Sequence, residues 1–102
     1  MKQKKQFLKS YLLQEAQIKC LSEMALLRPN NKESYLTQIA ECERCRDDVE
    51  AKINLIEDTL LREILMQKYI CGKTLEEISR IISYSKRHTE RLHIKALQSL
   101  EI

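Results

Sequence analysis

One glycine and one proline in 102 residues leave this chain few places to turn. Glycine opens left-handed backbone and proline interrupts helices, so a chain this poor in both consists of long uninterrupted elements. Leu, Ile, Glu, Lys and Gln are abundant while Phe and Val are scarce, a mixture that favours helix over strand. The expected fold class is all-α. With 43% hydrophobic residues the chain can bury a modest core, and its length suits one domain with a protruding element.

The two punctuating residues divide the helical pattern. Phe7, Leu8, Tyr11, Leu12, Ile18, Leu21, Met24, Ala25 and Leu27 recur at three- and four-residue steps, which predicts a helix over residues 4–27. Pro29 disfavours helix at Arg28, and Asn30 with Glu33 three residues on predicts a capping box for a second helix from about residue 31. Ile39, Cys42, Val49, Ile53, Ile56 and Leu60 then alternate four and three apart, with Arg46 interrupting the seam. Such a heptad-like stripe after a short connection predicts an antiparallel, coiled-coil-like helical hairpin over residues 1–57. Asp58 or Thr59 can cap a third helix, "LLREILMQKYI", unless residues 31–70 run on as one. Gly72 ends that segment in either case.

Past Gly72, Thr74 and Glu77 form a capping box before Leu75, Ile78 and Ile82, with small Ser79 allowing a second helix to cross closely. Ser85 caps the next helix, whose core side carries Thr89, Leu92, His93, Ala96 and Leu100, with Leu97 flanking. Two short helices joined by about three residues predict a helix-turn-helix within residues 58–102. Ile78, Ile82, Tyr84 and Leu92 are its expected small core, and Ser83 takes the turn position where glycine is usual. Opposite that core project Lys86, Arg87, Glu90, Arg91 and Ile94, the early recognition-helix positions that reach base edges and phosphates. An arginine fork reads guanine or clamps phosphate, whereas Lys86 and Lys95 supply point charges. Glu90 is expected to orient Arg87 or Arg91 rather than to read a cytosine amino group. Ile94 either meets a thymine methyl or packs. Thr74, Ser85, Lys86, Arg87, Glu90, Arg91, Ile94 and Lys95 are therefore the expected DNA-binding set.

The charge distribution agrees. Residues 1–67 hold 11 basic and 11 acidic side chains, so the whole excess of +3 falls in residues 68–102, with 7 bases against 4 acids. An anionic partner for the C-terminal third follows. Residues 41–63 lean acidic, with 8 acids and 4 bases. The four cysteines include the "CERC" pair Cys42 and Cys45, but no second close pair completes a zinc site, so reduced, partly buried thiols are expected. No Gly-rich phosphate loop, nucleophile–base arrangement or paired ligand motif points to an enzyme, a cofactor or a metal. No apolar run spans a membrane and the basic N-terminus lacks the apolar core of a signal peptide, so the expected location is cytoplasmic.

The segment "REILMQKYICGKTLEEISRIISYSKRHTERLHIKALQSL" resembles region 4 of sigma factors, and is more closely similar to ArpU/RinA-like regulators of phage transcription. The shared pattern is Tyr69-Ile70, Gly72, Glu76-Glu77-Ile78, Tyr84-Ser85, Arg87-His88 and Leu92-His93 followed by Ala96-Leu97. It covers about residues 58–100, and Ser83 and Thr89 depart from it. The resemblance implies a sequence-specific DNA-binding regulator carried by a phage or prophage. Double-stranded DNA and RNA polymerase are then the expected partners. The N-terminal helices also carry more apolar residues than one small hairpin must bury, notably Phe7, Leu8, Leu12, Leu13, Leu26 and Leu27, so a second copy joined through residues 1–60 is expected. Two other readings fit the same elements: a small terminase-like DNA-packaging protein, and a coiled-coil adaptor that binds RNA polymerase without touching DNA.

Overall fold

In a computed structural model the described residues, 2–101, are helical except at short joints, and none of them forms a strand. Helix α1 spans Lys2–Leu27 and α2 spans Lys32–Asn54. Between them Arg28 leaves helical backbone at φ −129° and ψ 74°, as the residue before a proline must, and Pro29–Asn31 make a single 3-10 turn. The expected Asn30–Glu33 capping box is not made. Asn30 lies inside that turn and Asn31 stands at the helix start with no side-chain bond, while Lys32 N–H donates to the Pro29 carbonyl.

The two long helices lie side by side with their residue numbers running in opposite directions. Arg46 Nη1 donates to Glu15 Oε1 at 2.8 Å, and Cys42 Sγ donates to Gln17 Oε1 at 3.7 Å. The first contact explains why Arg46 interrupts the apolar stripe: its guanidinium finds a carboxylate on the facing helix, and Nε reaches Asp47 at 3.3 Å. The stripe also stops earlier than the spacing predicts. Helix α2 ends at Asn54, and Leu55 and Ile56 tighten the last turn by donating to the Lys52 and Ile53 carbonyls. Ile56 stays buried from the connecting segment, while Leu60 belongs to the next helix.

The choice left open at Asp58 resolves as a break. Its carboxylate accepts from Leu60 N at 3.0 Å and Leu61 N at 3.2 Å, satisfying two donors at the start of α3, Thr59–Leu65. Helix α3 runs directly into a wider turn, Met66–Ile70, where Cys71 N donates five residues back to Met66 O at 3.0 Å. This π turn adds one residue to the helical circuit and turns Tyr69 inward. Gly72 follows at φ +75° and Lys73 N reaches back to Gln67 O. Helices α4, Leu75–Ile82, and α5, Lys86–Ser99, complete the chain.

One core serves both halves. Leu8 of α1, Val49 and Ile53 of α2, Leu61 and Leu65 of α3, Tyr69 of the π turn and Ala96, Leu97 and Leu100 at the end of α5 meet in one cluster. Leu97, expected at the flank, is fully buried at its centre. Lys4 Nζ donates to the Leu97 carbonyl at 3.0 Å, tying the start of α1 to the last turn of α5. Away from this end the α1–α2 pair buries little beyond Ala25. It forms a shaft, and the molecule measures 52 × 25 × 21 Å. Its radius of gyration is 16.2 Å, against about 13 Å for a compact chain of this size. No helix among the described residues is long and apolar enough to cross a membrane.

Candidate nucleic-acid interface

Three local devices set the geometry of α4 and α5. Thr74 Oγ1 accepts from Glu77 N at 3.2 Å while Glu77 Oε1 accepts from Thr74 N at 3.2 Å, so the capping box forms as its spacing predicts. The Thr74 amide and hydroxyl hold the Glu77 carboxyl below the usual carboxylate range. At the other end of α4, Ser83 sits in left-handed backbone at φ 63° and ψ 34°, and its N–H and that of Tyr84 both donate to Ser79 O. That conformation turns the chain sharply enough for Ser85, two residues later, to cap α5. Ser85 Oγ then accepts from His88 N at 3.1 Å, and Thr89 Oγ1 donates to the Ser85 carbonyl at 2.9 Å.

The helices meet over small and buried side chains. Ser79 is buried, with its hydroxyl turned to the Glu76 carbonyl, and Ile78 and Thr89 are fully enclosed. Ile82 and Leu92 are half-buried. Tyr84 does not join this core. It is 44% exposed and meets the His88 ring edge-on at 5.0 Å between centroids, because the turn at Ser83 carries it outward.

Beneath α5, His93 and Tyr69 form a buried pair. Tyr69 Oη lies 2.8 Å from His93 Nε2, and the rings stack at 5.8 Å between centroids. Burial, followed by the charges of Lys68 and Lys5, lowers the His93 pKa to about 4, and burial raises Tyr69 to about 12. His93 is therefore a neutral packing residue, as its place on the inner side of α5 predicts. The sequence gives no sign of its partner, which lies 24 positions away.

Lys86, Arg87, Glu90, Arg91, Ile94 and Lys95 all lie on the exposed side of α5, and Thr74 and Ser85 stand at the two helix starts. Ile94 is 47% exposed and takes no part in the core. The ion pairs among the described residues are Arg46 with Glu15 and Asp47, and Arg80 with Glu76. Glu90 thus pairs with neither Arg87 nor Arg91, contrary to the orienting role expected of it. Among the described residues the α5 cations make no ion pair and face solvent, with Glu90 the one acid on their helix.

Three of the four cysteines are more exposed than expected. Cys20, Cys45 and Cys71 are exposed and Cys42 is half-buried, all as free thiols. No three potential ligands among the described residues gather around a metal position. Comparison with known protein families, with characterised proteins and with solved structures finds no match to this chain.

Proposed function

We propose that the protein is a DNA-binding transcriptional regulator of phage or prophage origin, in which α4 and α5 act as a helix-turn-helix and α5 lies in the major groove. The observation that carries this reading is the exposed start of α5. There Lys86, Arg87 and Arg91 project into solvent, in no ion pair among the described residues, from a helix fixed by the Ser83 turn and the Ser85 cap. Arg87 and Arg91 read bases or clamp phosphate, Lys86 and Lys95 neutralise phosphates, and Ile94 offers an apolar contact to a thymine methyl. Thr74 and Ser85 hold the helix starts that approach the backbone. A single helix of this length offers few base contacts, so the reading includes a dimer joined through the α1–α2 hairpin, bringing two α5 helices to half-sites about one duplex turn apart. RNA polymerase is a further partner of the DNA-bound form, in a cytoplasmic setting.

Selection of genomic fragments by the purified protein, followed by titration of the best fragment, tests the proposal. An Arg87→Ala/Arg91→Ala variant should keep its helical circular-dichroism spectrum and melting temperature, since neither side chain fills the core. Each base-reading arginine lost should cost about 1–3 kcal/mol of binding and relax preference at one base pair. Equal binding by the folded variant and wild type would reduce α5 to a solvated face and overturn the reading.

A further inference from the structure

The zero balance of residues 1–67 hides an uneven start: Lys2, Lys4, Lys5 and Lys9 all precede the first acid, Glu15. The fold brings part of this run against basic residues far along the chain. Lys9 lines one groove of about 290 Å³ together with Lys68, Lys73, Tyr69 and Gly72, and no acidic residue lines it. Lys68 Nζ stands 5.6 Å from the centroid of the Tyr69 ring. Its pKa is lowered by burial and then by the like charges of Lys9 and Lys5, so those two lysines of α1 act on it across the groove that Lys73 also lines. Glu77 lies near enough to Lys73 to feel its charge, but its carboxylate is engaged by Thr74. None of Lys5, Lys9, Lys68 and Lys73 joins an ion pair among the described residues.

Like charges gathered without counter-charge raise one another's energy, and an anion from outside lowers it. The cluster contains no arginine fork, so it does not fit one planar anion closely. Its charges are instead spread over α1, the π turn and the joint that follows it, and Lys5 and Lys9 alone stand about 6 Å apart along α1. Duplex DNA presents a phosphate about every 3.4 Å along each strand. We infer that Lys5, Lys9, Lys68 and Lys73 form a second cationic surface, separate from the exposed face of α5, that binds the phosphate backbone of double-stranded DNA. This rests on the regulator reading above and extends the DNA contact to the hairpin. The surface carries affinity without sequence preference, because phosphates are the same at every base pair.

The test compares wild type with a Lys5→Gln/Lys9→Gln/Lys73→Gln variant. Lys68 is left in place because its ammonium stands over the buried Tyr69 ring. Binding to a random-sequence duplex and to the best selected fragment is measured across a series of KCl concentrations. Loss of three phosphate contacts should flatten the slope of log Kd against log salt by about 2–3 on both duplexes and leave the preference between them unchanged. Lys19→Gln, on the exposed shaft, should change neither. If the triple variant loses its helical spectrum, Lys9→Gln alone gives the readout, with a slope change of about one. An unchanged slope in a folded variant, with wild-type binding intact, overturns this inference and leaves the α5 reading standing. Wild type that binds no duplex overturns both. Wild type that binds phosphatidylserine vesicles but no duplex assigns the cluster to a membrane surface and likewise overturns both.

Discussion

Tyr69 and His93 hold each other at 2.8 Å inside the core, where charging either ring removes an ion from water. The consequence for stability has a definite sign. The folded state lowers the His93 pKa from 6.5 to about 4, so between those values the unfolded chain binds more protons than the folded one. The His93 contribution to stability is complete above about pH 6.5 and is lost as pH falls toward 4, by less than the about 3.5 kcal/mol that roughly 1.4 kcal/mol per pH unit sets as an upper bound. Urea melts across that interval should show this acid loss in wild type and a smaller one in His93→Gln, which keeps a polar partner for Tyr69 but does not titrate. An acid profile unchanged by the substitution would show that His93 does not report on folding. Tyr69, raised to about 12, contributes nothing in the same range.

At the scale of elements, what the residues announced was the punctuation. Thr74 with Glu77, Ser85, Asp58 and Gly72 all act where their side chains or missing side chain predict, because capping is local chemistry legible three residues at a time. Ser83 holds its left-handed turn although serine is not the residue that favours it. Asn30 misled because Pro29 sets a 3-10 turn first and moves the helix start beyond it. The π turn was hidden, since one extra residue hardly alters an apolar period of three and four. Equally hidden was the meeting of Lys9 with Lys68 and Lys73, for which the only sequence sign is an acid-free start. Tyr84 looked like core because it is large and apolar, whereas the Ser83 turn decides where it goes. Gly72 allows a sharp prediction. A Cβ added there meets only Leu12 Cδ1 at 3.7 Å, ordinary contact, so Gly72→Ala tests backbone strain alone. It should cost about 1–2 kcal/mol, seen as a lower melting temperature without loss of helix. No loss would mean that the turn relaxes to a right-handed form.

The whole molecule is a folded end with a shaft, and the shaft leaves apolar surface uncovered. Phe7 and Leu8, which the sequence offers for self-association, are taken by the protein's own core or packed against it. Leu26 and Leu27 are not: they remain 82% and 77% exposed, and Leu13 and Leu36 are exposed along the same pair of helices. The dimer proposed above therefore belongs to the shaft. Sedimentation at tens of micromolar (an order-of-magnitude range for modest interfaces) should give a dimer for wild type and a monomer for Leu26→Gln/Leu27→Gln. The intramolecular core should be unchanged, because neither leucine contributes to it. A monomeric wild type at those concentrations would remove the hairpin from the proposed assembly.

The tie between Lys4 and the Leu97 carbonyl closes a chain segment of 93 residues, and this bears on how quickly the protein reaches its structure. Closing so long a loop from an open chain costs about 4 kcal/mol of entropy plus a constant. Pairing of α1 with α2 needs only neighbours in sequence and can proceed first, on the microsecond scale of local helix encounters. Once it has, Leu8 already lies beside Val49 and Ile53, and the distance along the chain to Leu97 is roughly halved. That saves about 0.6 kcal/mol, nearly a threefold gain in the rate of the closing encounter. The arm that reaches away from the core thus also shortens the search by which the core is found.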